Sequence, residues 1–420
     1  MQTESLCGFL ERKPLYYKEI DHKRVHQAYA ILKLHIKHPK TVHVVGTNGK
    51  GSTGRMIAYL VYREGMRNEE LGIRNWSVGH YSSPHILKFN ERIWLDGSDA
   101  SDEVLEAAHQ RLFAILGKEV ADALSYFEYT TLLAFVVFEK CDLMVLEAGL
   151  GGEYDATNVC DKELSVITPI GIDHQAFLGE NIEEIAATKL RSIQKRALLA
   201  SQPYSEVVAV AKQIAKEKKA ALYCVGNVGC CLPTTPTRNS TQKHLNENGA
   251  VRTQHPTIDV ELERIAVQKG WPAYLVDNAM TALKALEILG ISYDVNDLNT
   301  LKLFGRFYPL SENIRIDVGH NPLAAEAIVK SMLPETVLVY NSLDDKDYEA
   351  VLRILKPKLK RVEIIPIESQ RATTIETIEA ALKRVGIDYG MFEGHIDHEE
   401  HYLVFGSFYT VEAFLKQYNV

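Results

Sequence analysis

Residues 41–53 read TVHVVGTNGKGST, and the rest of the chain is organised around this stretch. Val42–Val45 is a short run of strand type. Gly46, Gly49 and Gly51 break it, and a helix-like segment, 55–64, follows. A glycine-rich turn between a strand and a helix lets backbone N–H groups converge on phosphate oxygens. Lys50 adds a fixed positive charge, and Ser52 or Thr53 can offer a hydroxyl to Mg2+. The spacing is not that of the standard phosphate loop, which keeps four residues between its first Gly and the Gly-Lys pair. Here only Thr47 and Asn48 intervene, and Gly51 precedes Ser52. The alternative is an ordinary glycine turn; the flanking strand and helix and the internal Lys-Gly-Ser favour phosphate.

Working outward, strand-type runs alternate with helical patterns. Segments 21–37, 102–117, 128–140 and 181–199 read as helices, and 142–146 and 164–172 as buried strands. Such alternation implies a parallel sheet covered on both faces, with ligands at the carboxyl ends of its strands. Three strand ends carry capable groups: the phosphate turn, Glu147 and His174. A carboxylate at Glu147 can hold Mg2+ or cap the following turn. His174 can be a metal ligand or a hydrogen-bonded core residue. By position alone Lys189 is a solvated lysine on a polar helix face, and Ser83 a loop serine in the turn Ser82-Ser83-Pro84. The segment 226–257 is polar and weakly periodic and reads as irregular surface. A helix pattern returns over 273–290 with Asn278 inside it, and 291–303 reads as a connection. A second α/β unit follows, with strand candidates at 314–316, 336–340, 361–367 and 402–405. Asn321 can cap a helix that Pro322 begins.

With 420 residues, two domains are expected, divided as 1–298 and 299–420. A composition 46% hydrophobic and 24% charged fits a soluble globular enzyme. A net charge of −8 argues against a nucleic-acid or polybasic membrane role. The six cysteines form no Cys-x-x-Cys pair, the first residues show no secretory signal, and no run reaches membrane-spanning length, so the cytoplasm is the expected compartment.

The motifs converge. KRV (23–25), HVVGTNGKGST (43–53), SSPHI (82–86), FNERI (89–93), FEYTT (127–131), EAGLGGEYDATNV (147–159), ITPIGIDHQAFLGENIEEIA (167–186), GRF (305–307), DVGHNP (317–322), LDDKD (343–347) and VFGSFYTVEAFL (404–415) occur in that order. In this the chain resembles the folylpolyglutamate synthase/dihydrofolate synthase family of Mur-ligase-like ATP-dependent ligases. The resemblance implies an N-terminal ATPase-type parallel-sheet domain and a smaller C-terminal Rossmann-like α/β domain, with ATP between them. By resemblance, Asn48, Gly49, Lys50, Gly51, Ser52 and Thr53 form the phosphate site, and Asn278, Arg306 and Asp317 contact the nucleotide. Ser83 and Glu147 map onto the first Mg2+ site. His174 maps onto the second, with Lys189 in the place of a lysine that the family carbamylates. A monovalent cation is a further cofactor candidate. The implied catalytic residues are Lys50, His174 and Lys189. Phe127 could stack on a pterin with Glu128 beside it, or be a core aromatic and a helix-start acid; His320 and Ser407 map onto contacts for incoming glutamate. FEYTT and KRV favour the bifunctional type, acting on dihydropteroate, reduced folates, L-glutamate and ATP as a monomer. The alternatives are a folylpolyglutamate synthase alone, or a nucleotide-dependent ATPase or switch without ligase activity.

Overall fold

β1 (Lys40–Val45) is buried from Thr41 onward, as a strand must be when both its faces are covered. The structure, a computed structural model, describes residues 4–14, 21, 23–72, 75–226 and 256–418. β1 lies in an eight-stranded sheet with β2 (Val78–Tyr81), β3 (Ile93–Leu95), β4 (Ser98–Asp99), β5 (Leu143–Glu147), β6 (Leu164–Ile167), β7 (Arg196–Leu199) and β8 (Ala221–Cys224). The order is β4-β3-β2-β5-β1-β6-β7-β8. β1 pairs in parallel with β5 and β6, and only β3 and β4 run antiparallel to their neighbours. The chain leaves β1 toward β2 on one side, and β5 and β6 flank β1 on either side. The carboxyl end of β1 is therefore a switch point, where open α/β sheets bind ligands.

The turn after β1 has two positions that only glycine suits. Gly46 has φ 153°, and a Cβ there would lie 2.0 Å from Thr168 Oγ1 and 2.9 Å from Thr168 O. Gly49 has φ 82° and caps the helix Lys50–Glu70, where a Cβ would lie 2.6 Å from Asn278 Oδ1. No side chain caps this helix, so its first amides face the cleft. Met56, Ile57, Leu60 and Val61 bury its inner face against the sheet and the helix Ala273–Leu289.

The second sheet has the order β13-β12-β11-β14-β10-β9. Its strands are β9 (Tyr308–Pro309), β10 (Ile314–Ile316), β11 (Thr336–Tyr340), β12 (Leu359–Ile364), β13 (Tyr389–Met391) and β14 (Tyr402–Phe405). All are parallel except β9. Asn321 caps the helix Pro322–Val329 by accepting from Ala324 N, with Pro322 in the first turn, as expected. The connection packs on the first body: Ile291, Val295, Leu298, Leu301 and Leu303 share its core. Two residues cross the other way, Ile86 and Tyr274, the latter packing against the second body's core. Ile86, on the loop after Ser83, is buried with Ile314, Ile316 and Val318 of the second sheet.

Five boundaries are corrected. The helix expected over 21–37 spans only Arg24–Leu32, and the strand expected over 361–367 runs Leu359–Ile364. The helix expected over 181–199 ends at Leu190 and gives way to β7, a short apolar run in the sheet. The strand expected over 164–172 stops at Ile167. The first helix of the pair at 102–140 continues past 117 to Ala123, across a non-helical Gly117. The irregular reading of 226–257 falls, apart from its ends, outside the described residues. No helix among the described residues is long and apolar enough to cross a membrane.

Candidate active site

The carboxyl ends of the two sheets face each other across a cleft of about 490 Å3. From the first body, Asn48, Gly49, Lys50, Gly51, Ser52, Ser83, Glu147, His174, Lys189 and Asn278 line it; from the second come Arg306, Asp317 and His320. The expected sites, far apart in sequence, thus share one space. Thr53, Phe127, Glu128 and Ser407 do not line it.

Lys50 reaches across its own turn. Its Nζ donates to Thr47 O at 3.2 Å and lies 3.9 Å from Glu147 Oε1. Glu147 ends β5 and is buried; Ser83 N donates to its Oε2 at 3.3 Å. Burial pushes the Glu147 carboxyl up, against the pull of Lys50 and Arg306. A Cβ at Gly51 would come within 3.3 Å of Glu147 Oε2. Glycine therefore keeps the space before that oxygen open. A buried carboxylate, the Ser83 hydroxyl and incoming phosphate oxygens are a hard-oxygen set that suits Mg2+. Among the described residues no group of three His, Cys, Asp or Glu could hold a metal unaided.

His174 sits at φ 52°, which aims the residue out of the chain's regular path beside Asp173. Burial lowers its imidazole to about 4, so near neutrality it is uncharged and able to donate a lone pair. Asp173, which the sequence reading did not single out, is a hub. Its Oδ1 accepts from Lys346 Nζ at 2.6 Å, and Oδ2 accepts from Asn321 Nδ2 at 3.4 Å and lies 3.7 Å from His320 Nε2. Burial would raise the Asp173 carboxyl, but the His320 contact and the cationic Lys346 outweigh it and hold it far below the carboxylate range.

Lys189 overturns its bland reading as a solvated lysine. It is 4% exposed, and its Nζ donates to Gly46 O at 3.0 Å. Burial first, then Lys50, lowers its ammonium from 10.5 to about 7. A substantial neutral fraction at Nζ is what reaction with CO2 requires.

Asn278, Arg306 and Asp317, the expected nucleotide contacts, are held firmly. Asn278 Nδ2 donates to Ser52 Oγ at 2.8 Å. Arg306 stacks over Phe408, 5.4 Å from its centroid. Asp317 accepts from Tyr274 Oη, Phe307 N and Gly319 N, each at 2.7 Å. Burial raises its carboxyl.

Four expected residues stand elsewhere. Thr53 is buried in the first helical turn, with Oγ1 unpartnered. Glu128 forms a capping box with Ser125 and accepts from Arg24 Nε at 2.9 Å, the helix-start alternative. The S-x-x-E spacing of 125–128 was the available signal. Phe127 packs against Gly149, where a Cβ would lie 2.5 Å from its Cζ, so its ring lies just behind the cleft wall. Ser407 caps the helix Phe408–Gln417, accepting from Thr410 N at 3.0 Å.

A glycine-rich turn facing a second α/β body, with a carboxylate at the end of β5 and an uncharged imidazole on the loop seven residues past β6, is the architecture of a Mur-ligase-like ATP-dependent ligase. No protein-family model matches the chain. A curated relative, the dihydrofolate synthase/folylpolyglutamate synthase of Escherichia coli K12, is 32% identical over 394 residues, 89% of this chain and 85% of its own length. The chain belongs to the dihydrofolate synthase/folylpolyglutamate synthase family. Among solved structures, Helicobacter pylori folylpolyglutamate synthetase is 37% identical with TM-score 0.72, covering 99% of this chain and 98% of that one. E. coli FolC in complex with DHPP and ADP is 27% identical with TM-score 0.76 and the same coverage. The Yersinia pestis bifunctional enzyme complexed with AMPPNP and Mn ion is 25% identical with TM-score 0.76, covering 100% and 99%.

Proposed function

We propose that the chain adds L-glutamate to dihydropteroate and to folates, converting ATP to ADP and phosphate through an acyl phosphate. A free carboxylate is a poor acyl donor because it would have to expel oxide; a phosphoryl group supplies a leaving group. Lys50 and the amides of 49–52 cradle the transferring phosphoryl group and stabilise its charge. Ser83 and Glu147 would hold one Mg2+, and His174 with a carbamylated Lys189 a second; when bound, these ions neutralise phosphate charge and polarise the carboxylate. Arg306 and Asp317 bring the nucleotide from the second body, and His320 faces the cleft as a contact for incoming glutamate. Closure of 299–420 on 1–298, which we take as the two domains, keeps water from the acyl phosphate. Phe127, through Gly149, shapes the wall on which a pterin would rest.

The observation that carries this reading is the gathering of 49–52, 83, 147, 174 and 189 on one cleft face, opposite 306, 317 and 320. Relatives named for both activities support the bifunctional type. We place the protein in the cytoplasm as a monomer without nucleic-acid partners; the acidic charge balance supports this. A monovalent cation is an additional candidate cofactor. The test assays dihydropteroate and tetrahydrofolate separately with ATP, Mg2+ and L-glutamate. Glutamylated product from both is expected. No product from dihydropteroate leaves a folylpolyglutamate synthase alone. Phosphate release indifferent to glutamate leaves a plain ATPase.

A further inference from the structure

Two contacts of unlike kind join the two bodies. Beside the connection the contact is apolar. Ile86 of the first body is buried in the second sheet's core, and a Cβ at Gly305 would lie 2.5 Å from Ile86 Cδ1. Separating the bodies there would expose apolar surface to water. A second contact is polar, although Leu323 packs on Gly171 beside it. Asn48 Nδ2 donates to Asn321 Oδ1 at 3.0 Å, and Asn321 Nδ2 donates back to Asn48 Oδ1 at 3.0 Å. Lys346 of the second body pairs with Asp173 of the first beside them. Hydrogen bonds of this kind exchange for water at small net cost.

We propose that Asn48 and Asn321 are positioning residues, whose paired amides seat the second body's 317–321 turn on the phosphate turn. Asn48 immediately precedes Gly49-Lys50, and Asn321 immediately follows His320. The pair thus fixes how far His320 stands from Lys50, and couples occupancy of the nucleotide turn to the placement of the groups that meet glutamate. Asn48 thereby gains a second role: its amide donates to and accepts from Asn321, which orients the second body. Asn321 Oδ1 serves twice, since it also accepts from Ala324 N as the cap of Pro322–Val329.

The inference rests on the ligase reading only for its kinetic readout. The experiment compares the full chain with Asn48→Ala, Asn321→Ser and the double variant. Serine keeps an oxygen for the helix cap while losing the amide pair. Each single change should lower kcat/KM for glutamate about tenfold, and the double variant should be no worse than either single. ADP affinity by titration calorimetry should stay within twofold of the parent. Small-angle scattering with Mg-ADP should show a larger radius of gyration in all three variants. A tenfold loss of ADP affinity in Asn48→Ala alone, kinetic effects that multiply in the double variant, or unchanged scattering would each overturn the pairing role. Absence of glutamate-dependent ADP release from the parent would defeat the ligase reading instead; scattering and ADP titration would still judge the pair.

Discussion

Replacing Lys189 with Met should make the metal-free protein more stable and the enzyme inactive. Met has nearly the length of Lys without its charge. In the fold, burial and Lys50 lower the ammonium from 10.5 to about 7. A depressed lysine value means that the unfolded chain binds the extra proton between those two limits, so stability rises with pH across this window. Below about pH 7 the fold carries the whole cost of a buried cation. At roughly 1.4 kcal/mol per unit this is about 5 kcal/mol. Against it stands the bond from Nζ to Gly46 O, worth about 1 kcal/mol. Lys189→Met should therefore gain about 4 kcal/mol at pH 6.5 and progressively less above pH 7, with little left at pH 10. Urea unfolding of chelator-treated, bicarbonate-free protein at several pH values measures this. Turnover should fall by at least a hundredfold, because the variant can carry no carbamate. A destabilised variant, or a gain that does not shrink with pH, would refute the buried-ammonium argument. Normal turnover would remove the carbamate.

Glu147→Gln should lower kcat at saturating Mg2+ by a hundredfold or more in an ADP-release assay. Its thermal midpoint should hold or rise, because burial already disfavours the charged carboxylate. Asp317→Ala leaves three donors without their acceptor and should cost about 3–5 kcal/mol by urea unfolding. Gly149→Ala places a methyl 2.5 Å from Phe127 Cζ and should reduce kcat/KM for dihydropteroate about tenfold while leaving KM for ATP nearly unchanged.

The stretch 41–53 was legible because glycine spacing and a buried strand have local causes. The backbone must turn at Gly46 and Gly49 whatever the rest of the chain does. Glu147 was legible for the same reason, as a lone carboxylate closing an apolar run. Lys189 was not, because its burial is a tertiary event: the helix Ile182–Leu190 presses it onto Gly46. The strand 196–199 is only four residues long, apolar after Arg196, and periodicity alone does not separate so short a strand from the end of a helix. Asp173 and Lys346 lay inside motifs already noted, yet their pairing joins residues 173 positions apart, which no local pattern records. The cap at Ser407 was missed for the opposite reason. Its capping of Thr410 is local and could have been read from the spacing.

Ile86 belongs to the first body by sequence and to the second by burial, and Ser83 stands three residues before it. Heat that melts the second sheet would release this plug and slacken the loop carrying Ser83, the hydroxyl proposed for magnesium. The reverse also holds, since loss of the first body withdraws a side chain from the other's interior. The two sheets should accordingly denature as one cooperative unit, giving a single calorimetric peak, and Ile86→Ala should split that peak in two.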